Sequence, residues 1–265
     1  MTSQLLIRRV GLTGPGADSL ETVNLTPPGY VWIGNNGATI ALPLMSIIDF
    51  FDRLPVVTTV VATSDRYNLL LGSNTPVAAQ DAKGGLTLTT GATGTNQAAV
   101  AGIVNTGFSA ALSVTNHVAY RARVNLASLA TMFASAGINS LATDVNPMAT
   151  AGDGAAFLAD PTNSLTATTG ATAAQALNWI LCYKVGGAYT YAFTSVPLAA
   201  ALDVYLKIQV NPDLTASMYI EDVLVGTSPA LTAGAVVKPL AGVETTASAT
   251  AAMSVRFEIF SRDIG

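Results

Sequence analysis

Charge is what this sequence has least of. Only 11% of its 265 residues are Asp, Glu, Lys or Arg, against roughly a quarter in an average soluble domain. Half of the residues are hydrophobic, yet no uninterrupted apolar run reaches the ~20 residues that a membrane-spanning helix requires. The best candidates, Ala176 to Val185 and Val196 to Ile208, are broken by Asn178, Lys184, Asp203 and Lys207, so no membrane partner is expected. Cysteine occurs once, at Cys182, which excludes an intrachain disulfide and a cysteine-based metal cluster. Histidine also occurs once, at His117; the usual zinc sites and a serine triad are hard to build around it. The net charge is −4 and the basic residues are scattered, Arg8–Arg9 and Arg121–Arg123 being the close pairs. Direct binding of nucleic acid is not expected, because phosphate neutralisation needs a concentrated basic face. The first arginines follow the apolar cluster Leu5 to Ile7 instead of preceding an apolar core, so a secretory signal is not expected.

What is present in excess is Ala, Thr, Gly and Val. A neutral surface low in side-chain entropy suits a protein that is covered by copies of itself or by partners. A bias toward alanine in the whole genome gives the same composition, and both explanations stand at this point.

Residues 1–60 differ from the rest. "VGLTGPGADSLETVNLTPPGYVWIGNNGATIALP" is rich in Gly, Pro and Asn and has short apolar clusters, too few to form a core. Leu44, Ile47, Ile48 and Phe51 fall on one helical stripe that Pro55 stops, which predicts a short helix over Leu44 to Leu54. The region is expected to be an extended arm used for attachment or oligomerisation. Its exposed anchors would be Leu5, Ile7, Tyr30, Trp32, Ile33, Phe50 and Phe51. The arm either lies on another subunit or wraps its own domain.

From residue 61 to 265 the period changes to two, and one β-sandwich domain is expected. Val118, Tyr120, Ala122 and Val124 alternate with Ala119, Arg121 and Arg123. "LASLATMFASAG", from Leu126, places Leu126, Leu129, Met132 and Phe133 at helical spacing and predicts a helix ending at Gly137. Residues 138–176 read as long loops with one strand near Ala155 to Leu158. "LNWILCYKV" and "AYTYAF" flank Gly186 and Gly187, a hairpin whose two-residue turn demands positive φ. Val204, Leu206, Ile208 and Val210 form one face of the next strand, with Tyr205, Lys207 and Gln209 on the other. "NPDL" and Glu221–Asp222 are turns. At the end, Met253, Val255, Phe257 and Ile259 alternate with Ser254, Arg256, Glu258 and Phe260. Such alternation across many strands indicates an antiparallel all-β sandwich with one or two short helices.

The strand pattern "VYLKIQV", "ASMYIEDVLVGT", "VVKPLAGVET" and "AMSVRFEIFSRDI" resembles the later half of concanavalin A-like (laminin G-like) jelly rolls. "GGLTLTTGATGTNQAAV" resembles the opening strands of the versions found in tailed-bacteriophage virion proteins. The resemblance implies a non-enzymatic virion structural protein, foremost a capsid decoration (cement) protein. It would be made in the host cytoplasm and carried on the capsid surface. Its implied partners are the major capsid protein and copies of itself in a homotrimer. A carbohydrate-binding adhesin or structural component of the tail or fibre is the alternative.

Residues capable of chemistry are few. Glu221 and Asp222 are adjacent in a turn, unlike the carboxylates that a glycosidase sets across a cleft. Glu258 and Arg256 share a predicted strand face, as a weak surface ion pair. His117 is expected to be exposed, and Cys182, beside Trp179 and Tyr183, to be a buried inert thiol. Asp144, Asp153 and Asp160, with Asn146 and Asn163, have the composition of a calcium loop without an EF-hand spacing. No metal, cofactor or catalytic residue is assigned. Tyr189, Tyr191 and Tyr219 would supply rings to a sugar, or simply cover a sheet face.

Overall fold

The computed structural model describes residues 4–5, 22–26, 29–33, 44–49, 67–71, 76–93, 97–102, 110–114, 118–140, 144–147 and 152–263. Two antiparallel sheets stack as a sandwich. In strand order, the front sheet holds β17 (Val223–Thr227), β16 (Ala216–Ile220), β15 (Asp203–Val210), β10 (Ala119–Leu126), β19 (Ala252–Asp263), β7 (Leu86–Thr89) and β6 (Val77–Gln80). A further strand, β4 (Leu44–Asp49), pairs with the far half of β19. The back sheet holds β14 (Ala188–Pro197), β13 (Asn178–Val185), β12 (Gly154–Ala159), β11 (Met132–Asn139), β18 (Val236–Thr245), β8 (Gln97–Gly102) and β5 (Tyr67–Leu71), and β9 (Ala110–Ala111) pairs with β18. A separate three-stranded sheet is made by β1 (Gln4–Leu5), β2 (Thr22–Thr26) and β3 (Gly29–Ile33). Two one-turn helices, α1 (Thr166–Thr169) and α2 (Ala173–Ala176), follow β12.

The front sheet follows the alternation of its sequence. In β15 burial alternates at every residue, with Val204, Leu206, Ile208 and Val210 inside. These meet Tyr120, Ala122, Val124, Met218 and Ile220 from the same sheet, and Met132, Ala134, Ile138, Phe157, Trp179 and Leu181 from the back sheet. Phe157 and Trp179 pack edge to face, with centroids 6.4 Å apart. The β13–β14 hairpin turns at Gly186 (φ 56°) and Gly187 (φ 87°) as expected.

Three expectations are corrected. The stripe over Leu44 to Leu54 is not helical where it is described. Leu44–Asp49 is a strand that gains backbone partners along β19, because a short apolar run is ambiguous until a neighbour is available. The helix expected over Leu126 to Gly137 is also absent. The chain turns through Thr131 (φ 53°) into β11, every residue of which is buried. A strand covered on both faces has no polar alternation to mark it, and its residues at positions 132 and 133 then mimic a helical stripe. Gly137 is there because β12 approaches closely: a Cβ would collide with the backbone of Ala155 and Ala156. The third correction concerns β19. Its register against β10 shifts between Arg123 and Val124, so that Arg123 faces Phe257 while Val124 faces Val255. This bulge at Arg256 reverses the later alternation. Glu258 and Phe260 therefore turn inward and are buried, instead of Glu258 lying on the surface beside Arg256.

The segment from 138 to 176, expected as long loops with one strand near Ala155 to Leu158, contains that strand as β12 and adds the one-turn helices α1 and α2, and part of it covers the back sheet. Val145, Leu165 and Ala171 pack on Phe133, Leu158, Ile180, Cys182 and Leu240, forming a second apolar cluster outside the sandwich. Ser135 Oγ donates to the Val145 carbonyl and holds this cover down. Strands β11, β12 and β13 of the back sheet are thus buried on both faces, while the front sheet keeps a polar outer face.

Candidate functional site

That outer face is built by the odd-numbered residues of β10 and β15. Register sets them in rows: Arg121 lies opposite Lys207, which lies opposite Tyr219, while Arg123 lies opposite Tyr205 and Asn125 opposite Asp203. Arg121 is exposed; Arg123, Tyr205, Lys207 and Tyr219 are half-buried. Lys207 Nζ stands 4.6 Å from the centroid of the Tyr219 ring, within cation–π range. Burial, then the Arg121 charge, lowers the Lys207 pKa, with Asp222 opposing them. Arg123 Nε is buried without a hydrogen-bond partner. Like charges directly opposite on a sheet are unfavourable, so this row costs stability unless something anionic meets it.

At the other end of the face the charges are neutralised. Arg256 bonds to Asp81 at 2.5 Å and to Asp203 at 3.3 Å. Asp203 also accepts from Asn125 Nδ2 at 2.7 Å, and Asp81 from the Lys83 amide, Thr87 and Ser254. Burial would raise the Asp81 pKa, but these bonds and Arg256 outweigh it and hold the carboxyl far below the usual range. This network is a strap joining β6–β7, β15 and β19.

The other acids are distributed among structural duties. Asp153 accepts from the amides of Gly186 (3.0 Å) and Thr232 (2.6 Å). Asp160 accepts from the amides of Ser164 and Leu165 and from Ser164 Oγ, and Asp144 from the Asn146 amide. They brace separate loops, and among the described residues no three His, Cys, Asp or Glu side chains are grouped as metal ligands would be. Glu221 and Asp222 form the β16–β17 turn with φ of 49° and 61°, and Glu221 Oε1 accepts from the Tyr205 amide at 2.7 Å. Glu258 faces Tyr120, whose hydroxyl is pushed well above its usual range by burial and then by the Glu258 charge. Sequence reasoning missed one coupled pair, Glu244 with Asp144, a hundred residues apart. Burial, followed by the Asp144 charge, raises the Glu244 pKa to about 7.

Cys182 is buried, and burial pushes its thiol up to about 12 despite Lys184 nearby, which leaves it a packed thiol. The three tyrosines do not share a platform. Tyr189 and Tyr191 stand on β14 opposite Lys184 and Cys182, on the outer side of the back sheet, whereas Tyr219 is on the front sheet. Of the arm anchors, Leu5 falls in β1 and Tyr30, Trp32 and Ile33 in β3. Ile7, Phe50, Phe51 and His117 lie outside the described residues.

Several solved structures share this arrangement of sheets. A protein of unknown function from Shewanella oneidensis MR-1 superposes with a TM-score of 0.56 at 9% identity, covering 85% of this chain and 89% of that one. The Bacillus licheniformis β-glucanase gives 0.53 at 8% identity over 81% and 97%. The carbohydrate recognition domain of Emp47p gives 0.53 at 7% over 86% and 100%. The fold is a concanavalin A-like jelly roll. No protein-family model and no curated protein sequence matches the chain, so at these identities the likeness is one of fold.

Proposed function

We propose that this chain is a non-enzymatic virion structural protein of a tailed bacteriophage, a capsid decoration protein covered at its edges by the shell and by copies of itself. The observation that carries the reading is one side of the sandwich. There the edge strands of the two sheets, β14 and β17, pack beside each other. Ten and five residues long, they contain no charged residue, and they expose Tyr189, Phe193, Val223 and Leu224. Soluble monomers blunt such edges with lysine, proline or a covering segment; here Pro197 stands only at the end of β14, and an uncharged apolar pair of edges fits a molecule that meets a neighbour. The assignment as a non-enzyme is supported by Asp81, Asp203 and Glu221 on the front sheet, which are tied to Arg256 or to backbone amides. Gold-labelled antibodies against the purified chain, applied to tailed-phage particles of its source, test the reading. Label on heads is expected, and particles without label would refute it.

A carbohydrate-binding adhesin of the tail or fibre is the second reading. It is favoured by the row Arg121, Lys207 and Tyr219 on the front face, and the Emp47p domain, named for carbohydrate recognition, shares the fold. Label on tails, together with a selective signal on a glycan array, would establish it over the first.

A further inference from the structure

A front face in a chain of net charge −4 that gathers Arg121, Arg123 and Lys207 on neighbouring positions of two strands is anomalous. Arg121 and Lys207 are set directly opposite each other, an arrangement that repels in the empty state. Tyr219 holds the Lys207 ammonium at 4.6 Å from its ring centre and so fixes it in the row beside Arg121. Arg123, one row along and opposite Tyr205, carries a buried Nε that has no hydrogen-bond partner. Neither Arg121 nor Arg123 makes an ion pair with an acid among the described residues, in contrast to Arg256 in the same sheet, which holds two. The acids nearest the row, Glu221 and Asp222, sit in the turn at its end, and Glu221 is engaged by the Tyr205 amide. The geometry leaves three cations in register with two phenol rings, ~5 Å between neighbouring strands and ~7 Å between alternate residues of one strand.

We propose that this row is a binding site for an acidic oligosaccharide, whose carboxylate or sulfate groups are held by Arg121, Lys207 and Arg123 while its sugar rings lie against the tyrosine-lined face. The ~5 Å between neighbouring strands is close to the rise per sugar unit of an extended glycan, so a linear chain running across β10 and β15 can set successive anions over Arg121 and Lys207. Arginine supplies planar paired donors for a carboxylate or sulfate, and lysine a point charge. A neutral glycan would leave the repulsion between Arg121 and Lys207 unrelieved, which is the physical basis of the selectivity. The inference rests on the second reading above, that the sandwich binds carbohydrate, and narrows it to the acidic class.

The test is isothermal titration of the full chain with polygalacturonate oligomers, sulfated galactan oligomers and neutral laminari-oligosaccharides at low and at physiological salt. One or both acidic ligands are expected to bind, more weakly as salt rises, and the pair distinguishes carboxylate from sulfate. Arg121→Gln and Lys207→Gln should each weaken binding by about tenfold, the loss of one charge-assisted hydrogen bond, without lowering the melting temperature. Arg256→Gln serves as the contrast, since its charge is already neutralised: it should lower the melting temperature and leave the affinity within about twofold. Binding of neutral oligosaccharides alone would overturn this inference while keeping the adhesin reading, and no binding of any glycan would overturn both. Equal binding of a single-stranded oligonucleotide would also overturn it, by showing a surface for polyanions in general.

Discussion

On the outer side of the back sheet, Ile180, Cys182 and Leu240 lie beneath Val145, Leu165 and Ala171; on the outer side of the front sheet, Arg121, Lys207 and Tyr219 stand in a row that is exposed or half-exposed. Between β11 and β13 the chain lays Val145, Leu165 and Ala171 over one sheet and leaves the other polar. The difference separates two tasks. Strands β11, β12 and β13 are scaffold, close-packed on both faces, and the front sheet presents polar side chains to solvent.

The largest effect that separates the faces is steric. Gly137→Val would drive a branched side chain into the backbone of β12 and is expected to cost about 3 kcal/mol or more in urea unfolding. On the open face, Arg121→Ala should change stability by no more than about 0.5 kcal/mol. A tolerated Gly137→Val would mean that the back sheet is not close-packed. Next in size is the strap. Asp81→Asn, which loses hydrogen bonds and the pairing with Arg256, is expected to cost about 1 kcal/mol at pH 7. The Asp81 pKa is lower in the folded than in the unfolded chain, so its contribution is complete above about pH 4 and is lost as pH falls through the folded value. The Asp81→Asn and wild-type melting curves should therefore converge in acid.

Glu244 has the opposite sign. Its pKa is raised to about 7 by burial and by Asp144, so the folded chain binds this proton more tightly than the unfolded one. Stability from this group is present at low pH and declines as pH rises from about 4.5 through 7. Glu244→Gln should remove that decline and raise the melting temperature at pH 8; an unchanged pH profile would show that the Glu244 pKa is not raised in the folded chain. The smallest effect is expected at the β16–β17 turn, where Asp222 adopts φ 61°. Asp222→Gly should stabilise by about 0.5 kcal/mol, since glycine has no Cβ to strain in the left-handed region.

The same contrast decides what could be read in the sequence. β15 is legible because water covers one of its faces: Tyr205, Lys207 and Gln209 alternate with Val204, Leu206 and Ile208. The Gly186–Gly187 turn is legible because its backbone leaves few other choices. β11 is not, since Ala134, Ser135, Ala136 and Gly137 are all buried and nothing marks a period of two. The inward turn of Glu258 depends on one bulge, which the regular pattern around Arg256 conceals. The site is still less legible. Arg121 and Arg123 stand out as a pair, but Lys207 and Tyr219 join them only through the pairing of β10 with β15 and of β15 with β16. The strap of Asp81, Asp203 and Arg256 likewise joins residues that lie far apart in the chain.

The central claim is that this sandwich works by being covered along its uncharged edges. Sedimentation velocity of the full chain, beside a Val223→Lys/Leu224→Lys variant, measures that most directly. The account predicts a defined oligomer for the wild type and a folded monomer for the variant, because lysines on β17 protect the edge. A wild type that stays monomeric at high concentration, or an oligomer that the two lysines leave intact, would contradict it.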